Sequence, residues 1–187
     1  GYINMGKLTI ADVKFVMDTF SSTKAIIFDV RNYPNGTMYA ISEYLNKKPK
    51  NFVKFTIPDL TYPGKFYWSD TMLCGKMNET PYLGKVIVLV DEQTQSHAEF
   101  TVMSLQTAEK ATVIGSQTSG ADGNVSFVTM VGGFETCFTG LGVFYPDGKE
   151  TQRVGIVPDI EIKPTIEGIR QGKDEVLEKA LQIANEL

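Results

Sequence analysis

The stretch VIVLVDEQTQSHAEF, Val86 to Phe100, decides the fold. Val86 to Val90 is an unbroken apolar run of strand length, bounded by polar turn residues, and reads as a buried strand. Asp91 to Gln95 is a polar turn, and Ser96-His97-Ala98-Glu99 is an S-x-x-E box opening a helical pattern that runs on to Lys110. A strand feeding a helix through a turn is the repeating unit of an α/β sheet, and such sheets bind ligands beyond the carboxyl ends of their strands. Ser96 sits at such an end. Its hydroxyl has two readings: a cap on the amide three residues on, or a nucleophile.

The same unit recurs on both sides. Tyr2 to Met5 reads as a short strand and Thr9 to Phe20 as a helix with Ile10, Val13, Val16 and Met17 on one face. Ala25 to Val30 is a buried strand that breaks at Tyr33-Pro34-Asn35-Gly36 and leads to a helix over Met38 to Leu45. Asn51 to Ile57 alternates as a strand, and the proline- and aromatic-rich residues after it read as a long irregular excursion of the kind that shapes a binding surface. Lys85 to Val90 and Ala111 to Gly115 are two further strands, the second ending in the loop SQTSGADGN. Val125 to Met130, Phe134 to Thr139, Gly142 to Tyr145 and GIVPDIEI, separated by tight turns, predict antiparallel strands. The terminal DEVLEKALQIANEL, Asp174 to Leu187, carries apolar residues at helical spacing and acids in its first turn, and predicts a helix docked on the core.

A chain of 187 residues, 42% hydrophobic and 21% charged, forms one ordinary globular core. A formal charge of -4 with scattered Lys and Arg excludes a nucleic-acid surface. No apolar run approaches the roughly 20 residues of a membrane span. Two cysteines, Cys74 and Cys137, and a single histidine give neither a zinc pattern nor a disulfide framework, and leave open whether the thiols pair. The opening GYINMG reads as a strand already under way, so residues 1–187 are expected to be the C-terminal core domain of a longer chain.

Four segments in order resemble the catalytic core of the C-terminal processing peptidases, or tail-specific proteases, and their tricorn relatives. IIFDVRNYPNG is similar to the family strand ending D-x-R-x-x-P-G-G, and VIVLVDEQTQSHAEF to its S-A-S-E nucleophile turn. ATVIGSQTSGADGNV resembles V-G-E-x-T-x-G-K-G, and FYPDGKETQRVGIVPDIEI the closing Y-x-P-x-G and G-x-P-D. Four matches in register do not arise by chance. The resemblance implies an α/β fold of the ClpP/crotonase-like kind: a mixed sheet of β-α units, an antiparallel hairpin section and a C-terminal helix. It also implies a serine endopeptidase with Ser96 as nucleophile, acting on peptide or unfolded protein without metal or organic cofactor, in the periplasm or cell envelope. The His97 amide, at a helix start, is one oxyanion donor. The second is the backbone of Asn35 or Gly36, with Asn35 in place of the family's first glycine and better able than most residues to take positive φ.

The sequence departs from the family where a proton must move. Ala121 occupies the position of the lysine in G-K-G, so the Ser-Lys dyad is absent. Asp122 is adjacent, but a carboxylate is a poor base for a hydroxyl unless burial raises its pKa. The His97 side chain is expected to point away from Ser96, since neighbours on a helix do not face each other. Tricorn-type relatives also lack the lysine and take a histidine from the polypeptide before the core, which implies here a base from an upstream domain and weak or absent proteolysis by residues 1–187 alone. Asn124 and Gln152 stand where the family places helper groups. Tyr62, Phe66, Tyr67 and Trp68 of TYPGKFYWSD are expected to line a substrate cleft. The alternative is a non-catalytic module of the same fold, similar to the repeated modules of retinoid-binding proteins, that binds an apolar ligand or an extended peptide.

Overall fold

The computed structural model describes residues 1–186. Its centre is a five-stranded parallel sheet in the order β1-β2-β6-β7-β11, built from β1 (Tyr2–Asn4), β2 (Ala25–Asp29), β6 (Lys85–Val90), β7 (Ala111–Gly115) and β11 (Ile160–Glu161). Alternate side chains of these strands enter two cores. Ile26, Phe28, Val86, Val88 and Val90 join the core under α1 (Val13–Phe20), α2 (Met38–Leu45) and α3 (His97–Leu105). Ala25, Ile27, Ile87 and Leu89 pack on the opposite face against Val176 and Ala180 of α5 (Glu175–Asn185). Burial on both faces explains why β2 and β6 read as continuous apolar runs instead of alternating ones. Each such Val, Leu or Ile contributes roughly 1.5–3 kcal/mol on burial.

A second, antiparallel sheet covers one end of this layer. β3 (Lys50–Pro58) is its spine, with β10 (Gly142–Phe144), β4 (Phe66–Trp68) and β5 (Met72–Cys74) all paired to it. The excursion after β3 is therefore two strands and a turn, where irregular chain was expected. Pairing with β3 supplies the backbone partners that the sequence does not announce. The remaining hairpin, β8 (Val125–Thr129) with β9 (Glu135–Thr139), stands alone with every residue exposed.

Three further expectations are corrected. The first helix begins at Val13, because the Asp12 carboxylate accepts from the Thr9 amide and hydroxyl and holds Thr9–Asp12 in a turn. α3 stops at Leu105, where the Thr107 hydroxyl takes the Ser104 carbonyl at 2.6 Å. β11 is parallel to β7, not antiparallel: Asp159 clamps the β7 edge, accepting from Val113 N at 2.8 Å and donating its own amide to Val113 O at 2.9 Å. A short α4 (Ile166–Arg170) precedes α5, and the expected terminal helix reaches Leu187, which lies outside the described residues. Cys74 is buried, Cys137 is exposed on the hairpin, and both are free. No helix among the described residues is long and apolar enough to cross a membrane.

Arg31, the arginine of the D-x-R segment, fixes the C-terminal helix. Its guanidinium donates to Asp29 at 2.7 and 2.9 Å and, as a fork, to both oxygens of Asp174 at 2.8 and 2.9 Å. Asp174 in turn accepts from the Leu177 amide as the cap of α5. That arginine is structural.

Candidate active site

Strand β6 carries the chain to a turn held by its own side chains. Asp91 Oδ1 accepts from the amides of Gln93 and Thr94 at 3.0 and 2.9 Å, and the Thr94 hydroxyl accepts from Asp91 N at 3.0 Å. This rigid turn delivers Ser96 to the first position before α3 at φ 53 and ψ -125, a conformation that side-chain-bearing residues seldom adopt. A serine forced into such a strand-to-helix turn is lifted above the sheet, as in a nucleophile elbow. The capping box is outlined by Ser96 and Glu99, and the Glu99 carboxylate accepts from Ser96 N at 3.2 Å. The box is closed from the other side by the Glu99 amide, which approaches the Ser96 side chain without the full geometry of a hydrogen bond. Ser96 also lies on the wall of a cavity.

That cavity measures about 540 Å³ and is walled by Ser96, His97, Phe100, Asp122, Gly123 and Asn124 together with the apolar Phe55, Met72, Val125 and Leu141. A larger hollow of about 670 Å³ beside Tyr145 and Val157 holds no serine, threonine or cysteine on its wall and has no chemistry comparable to the first.

Glu99 is the residue that assembles the site. It is wholly buried, and besides Ser96 N it accepts from the Thr118 hydroxyl at 2.5 Å, Gly120 N at 2.8 Å and Ala121 N at 3.0 Å. The loop after β7 is thereby tied to the serine turn. The loop is tied again to the G-x-P-D segment: Arg153 N donates to Gly120 O at 2.6 Å, and Ile156 N donates to Thr118 Oγ1 at 2.6 Å. Gly120, at φ 68, lies so close to the Arg153–Gly155 backbone that a Cβ would meet it at 2.8–2.9 Å.

Asp122 follows at once. It is 5% exposed; Oδ1 accepts from Gly123 N at 2.7 Å, while Oδ2 is buried without a partner. Burial, reinforced by the nearby Glu99 charge and opposed by the Gly123 hydrogen bond, pushes its pKa up to about 7. Gln152 Nε2 donates to Asp122 O at 3.0 Å and so positions its main chain. Asn124 is exposed on the cavity wall. The His97 ring lies between Tyr33 and Phe100, with centroids 6.4 and 6.3 Å away, and its Nε2 is buried without a partner.

Other expected site residues do not converge here. Asn35 and Gly36 are outside the cavity wall, and neither takes positive φ. Asn35 instead bonds across to the first loop, through its amide to Met5 O at 3.4 Å and its side chain to Leu8 O at 2.9 Å. The Gly36 amide donates to no acceptor among the described residues. Tyr62, Phe66 and Trp68 are all more than half exposed and away from the cavity. Trp68 is taken up by Phe144, edge-on at 4.9 Å, and by the Lys54 ammonium 4.5 Å above its ring. The excursion reaches the site through Phe55 and Met72 instead.

The family model for peptidase family S41 matches residues 1–162. The chain belongs to this family. An uncharacterized protein of Chlamydia muridarum is 33% identical over 110 residues, which is 57% of this chain and 18% of that protein. Three solved structures share the fold. A candidate peptidase of Parabacteroides merdae superposes with a TM-score of 0.87 at 21% identity, over 100% of this chain and 61% of that one. Mature CPAF does so with 0.75 at 19% identity, over 98% and 50%. The photosystem II D1 C-terminal processing protease gives 0.63 at 17% identity, over 91% and 45%. This S41 chain therefore spans less than two thirds of each of these proteins. The resemblance to C-terminal processing peptidases and the mixed α/β fold are confirmed.

Within the S41 frame, sequence reasoning missed Glu99 as the organiser, because an S-x-x-E box explains its glutamate locally. Its three donors from the 118–121 loop are contacts across 19 to 22 positions that no periodicity signals.

Proposed function

We propose that this chain is the core of a serine endopeptidase in which the Ser96 hydroxyl attacks the peptide carbonyl. One observation carries the reading: Ser96 is held at φ 53 on the wall of a cavity. A serine needed only to cap α3 would adopt relaxed extended backbone. Strain of this kind at a cavity wall points to function. The His97 amide, first in α3, has no acceptor among the described residues and lies at the positive end of the helix, where it stabilises the oxyanion. The unengaged Gly36 amide supplies the second donor once substrate fills the gap between the two loops, since the Asn35 amide is directed at Met5.

The substrate is an extended peptide added to the free edge of β8. That strand pairs only with β9 among the described residues and begins at Val125, on the cavity wall. Met130 N donates to Phe134 O at 2.7 Å, so by antiparallel alternation Ser126 and Val128 also face β9. Val125, Phe127 and Thr129 therefore present their backbone groups outward, as a template for strand addition. Phe55, Met72, Phe100 and Leu141 suit the cavity to an apolar side chain near the scissile bond.

The test is active-site labelling of the full-length protein with a fluorophosphonate. Labelling that disappears in Ser96→Ala is the expected result. No labelling of the folded wild type, or undiminished labelling of Ser96→Ala, removes the nucleophile and leaves a peptide- or ligand-binding module.

A further inference from the structure

The family lysine is an alanine here, yet the loop that bears it still places a titratable group on the same cavity wall as the serine. We propose that Asp122 is the general base of this peptidase, taking the Ser96 proton on Oδ2, so that the chain carries its own proton acceptor. The inference rests on the assignment of Ser96 as nucleophile.

Position comes first. Ser96 N and Ala121 N donate to the same oxygen, Glu99 Oε2, at 3.2 and 3.0 Å, so the two main-chain nitrogens are at most about 6 Å apart. Asp122 is the next residue after Ala121, and it shares the cavity wall with Ser96. The loop cannot drift, because Glu99, Arg153 and Gln152 hold it at Gly120, Ala121 and Asp122.

The side chain is built unlike a solvated loop carboxylate. Oδ1 is tied to Gly123 N, while Oδ2 is buried and unpartnered. A buried polar atom without a partner costs roughly 1–3 kcal/mol, and a native site that carries one needs a use for it. The Ser96 hydroxyl is the complementary group on the same wall. Two ionisable residues lie around Asp122: Glu99, whose charge disfavours its ionisation, and His97, which shares the cavity wall and whose Nε2 is also unpartnered. An ordinary aspartate would be far too weak a base. A value near 7 brings it into the range in which general bases operate.

The proton count closes. The Ser96 O–H bond breaks and its proton passes to Asp122 Oδ2 as Oγ bonds the carbonyl carbon and the carbonyl electron pair moves onto oxygen. On collapse the C–N bond breaks and the departing amine takes the proton from Asp122. Water then adds to the acyl-enzyme by the same relay, giving its proton to Asp122, which returns it to Ser96 as the acid leaves.

The experiment measures the pH dependence of fluorophosphonate labelling of the full-length protein. Wild type should label with an inflection near pH 7, faster on the alkaline side. Asp122→Asn, which retains an acceptor for Gly123 N, should label about a hundredfold more slowly with the inflection gone. Asp122→Ala should be slow and recover on addition of formate, which a folding defect would not do. Asp122→Asn labelling at the wild-type rate, or an inflection that survives in it and so belongs to another group such as His97, overturns the base while leaving Ser96 in place. Absence of labelling in wild type sinks the nucleophile and the base together.

Discussion

Replacing Asp122 by asparagine should stabilise the fold in alkali, and the size of the effect follows from its surroundings. The carboxyl is 5% exposed, and its pKa rises from 3.8 to about 7 on folding. The folded state therefore binds a proton more tightly than the unfolded one. Below the unfolded pKa both states are protonated, and ionisation costs nothing. As pH rises from about 4 to about 7 the unfolded chain ionises and the native one does not, so stability falls by about 1.4 kcal/mol per pH unit, to a plateau near 4 kcal/mol. Asparagine has no such term and keeps the Gly123 N–H acceptor. Urea denaturation of both proteins at about pH 4.5 and about pH 8.5 reports on Asp122 and its coupling to Glu99, because titrating groups that do not interact with Asp122 cancel in the difference. The variant should gain about 3 kcal/mol relative to wild type between the two. A difference that is flat with pH means that Asp122 is solvated or paired in solution, and both the burial argument and its role as a base would be refuted.

Ser96→Gly should raise stability by about 1 kcal/mol in the same denaturation assay, since glycine accepts φ 53 without strain, whereas Ser96→Ala retains the strain and should gain nothing. Arg31→Lys should cost about 2–3 kcal/mol and speed hydrogen exchange at Val176 to Ala180, because an ammonium cannot reproduce the fork on Asp174. That ion pair also holds the Asp174 carboxyl below its usual range, so its contribution is full above the ordinary carboxylate pKa and is lost as pH falls through the depressed one. Phe127→Pro removes an outward N–H of β8 without touching a β8–β9 bond, and should lower peptide cleavage about tenfold relative to probe labelling, with Phe127→Ala as the control for the lost ring.

Local pattern settled much of this molecule. The runs Ala25 to Asp29 and Lys85 to Val90 read as strands buried on both faces, because they are short, β-branched-rich apolar runs bounded by turn residues. Met38–Leu45 and Ala111–Gly115 are bounded where their sequences place them, and four motifs in register named the family. Ser96 was marked as the residue at the strand-to-helix junction.

Which of its two roles Ser96 takes is beyond the sequence, because cap and nucleophile share the same four letters. Its backbone torsion was equally hidden, since it is imposed by the turn and by Glu99 reaching into a loop about twenty residues away. The same holds for Asp122. Its neighbours in the chain are Ala121 and Gly123, which predict a wet loop; only the packing of that loop under Arg153 and against α3 removes water and raises its pKa to about 7. The aromatic residues around Trp68 failed as a cleft for the converse reason: composition gives a side chain its appetite for burial, but strand pairing with β3 decides which way it turns. Secondary structure is written in short-range periodicity, whereas desolvation and the torsion of Ser96 belong to contacts that exist only once distant segments meet.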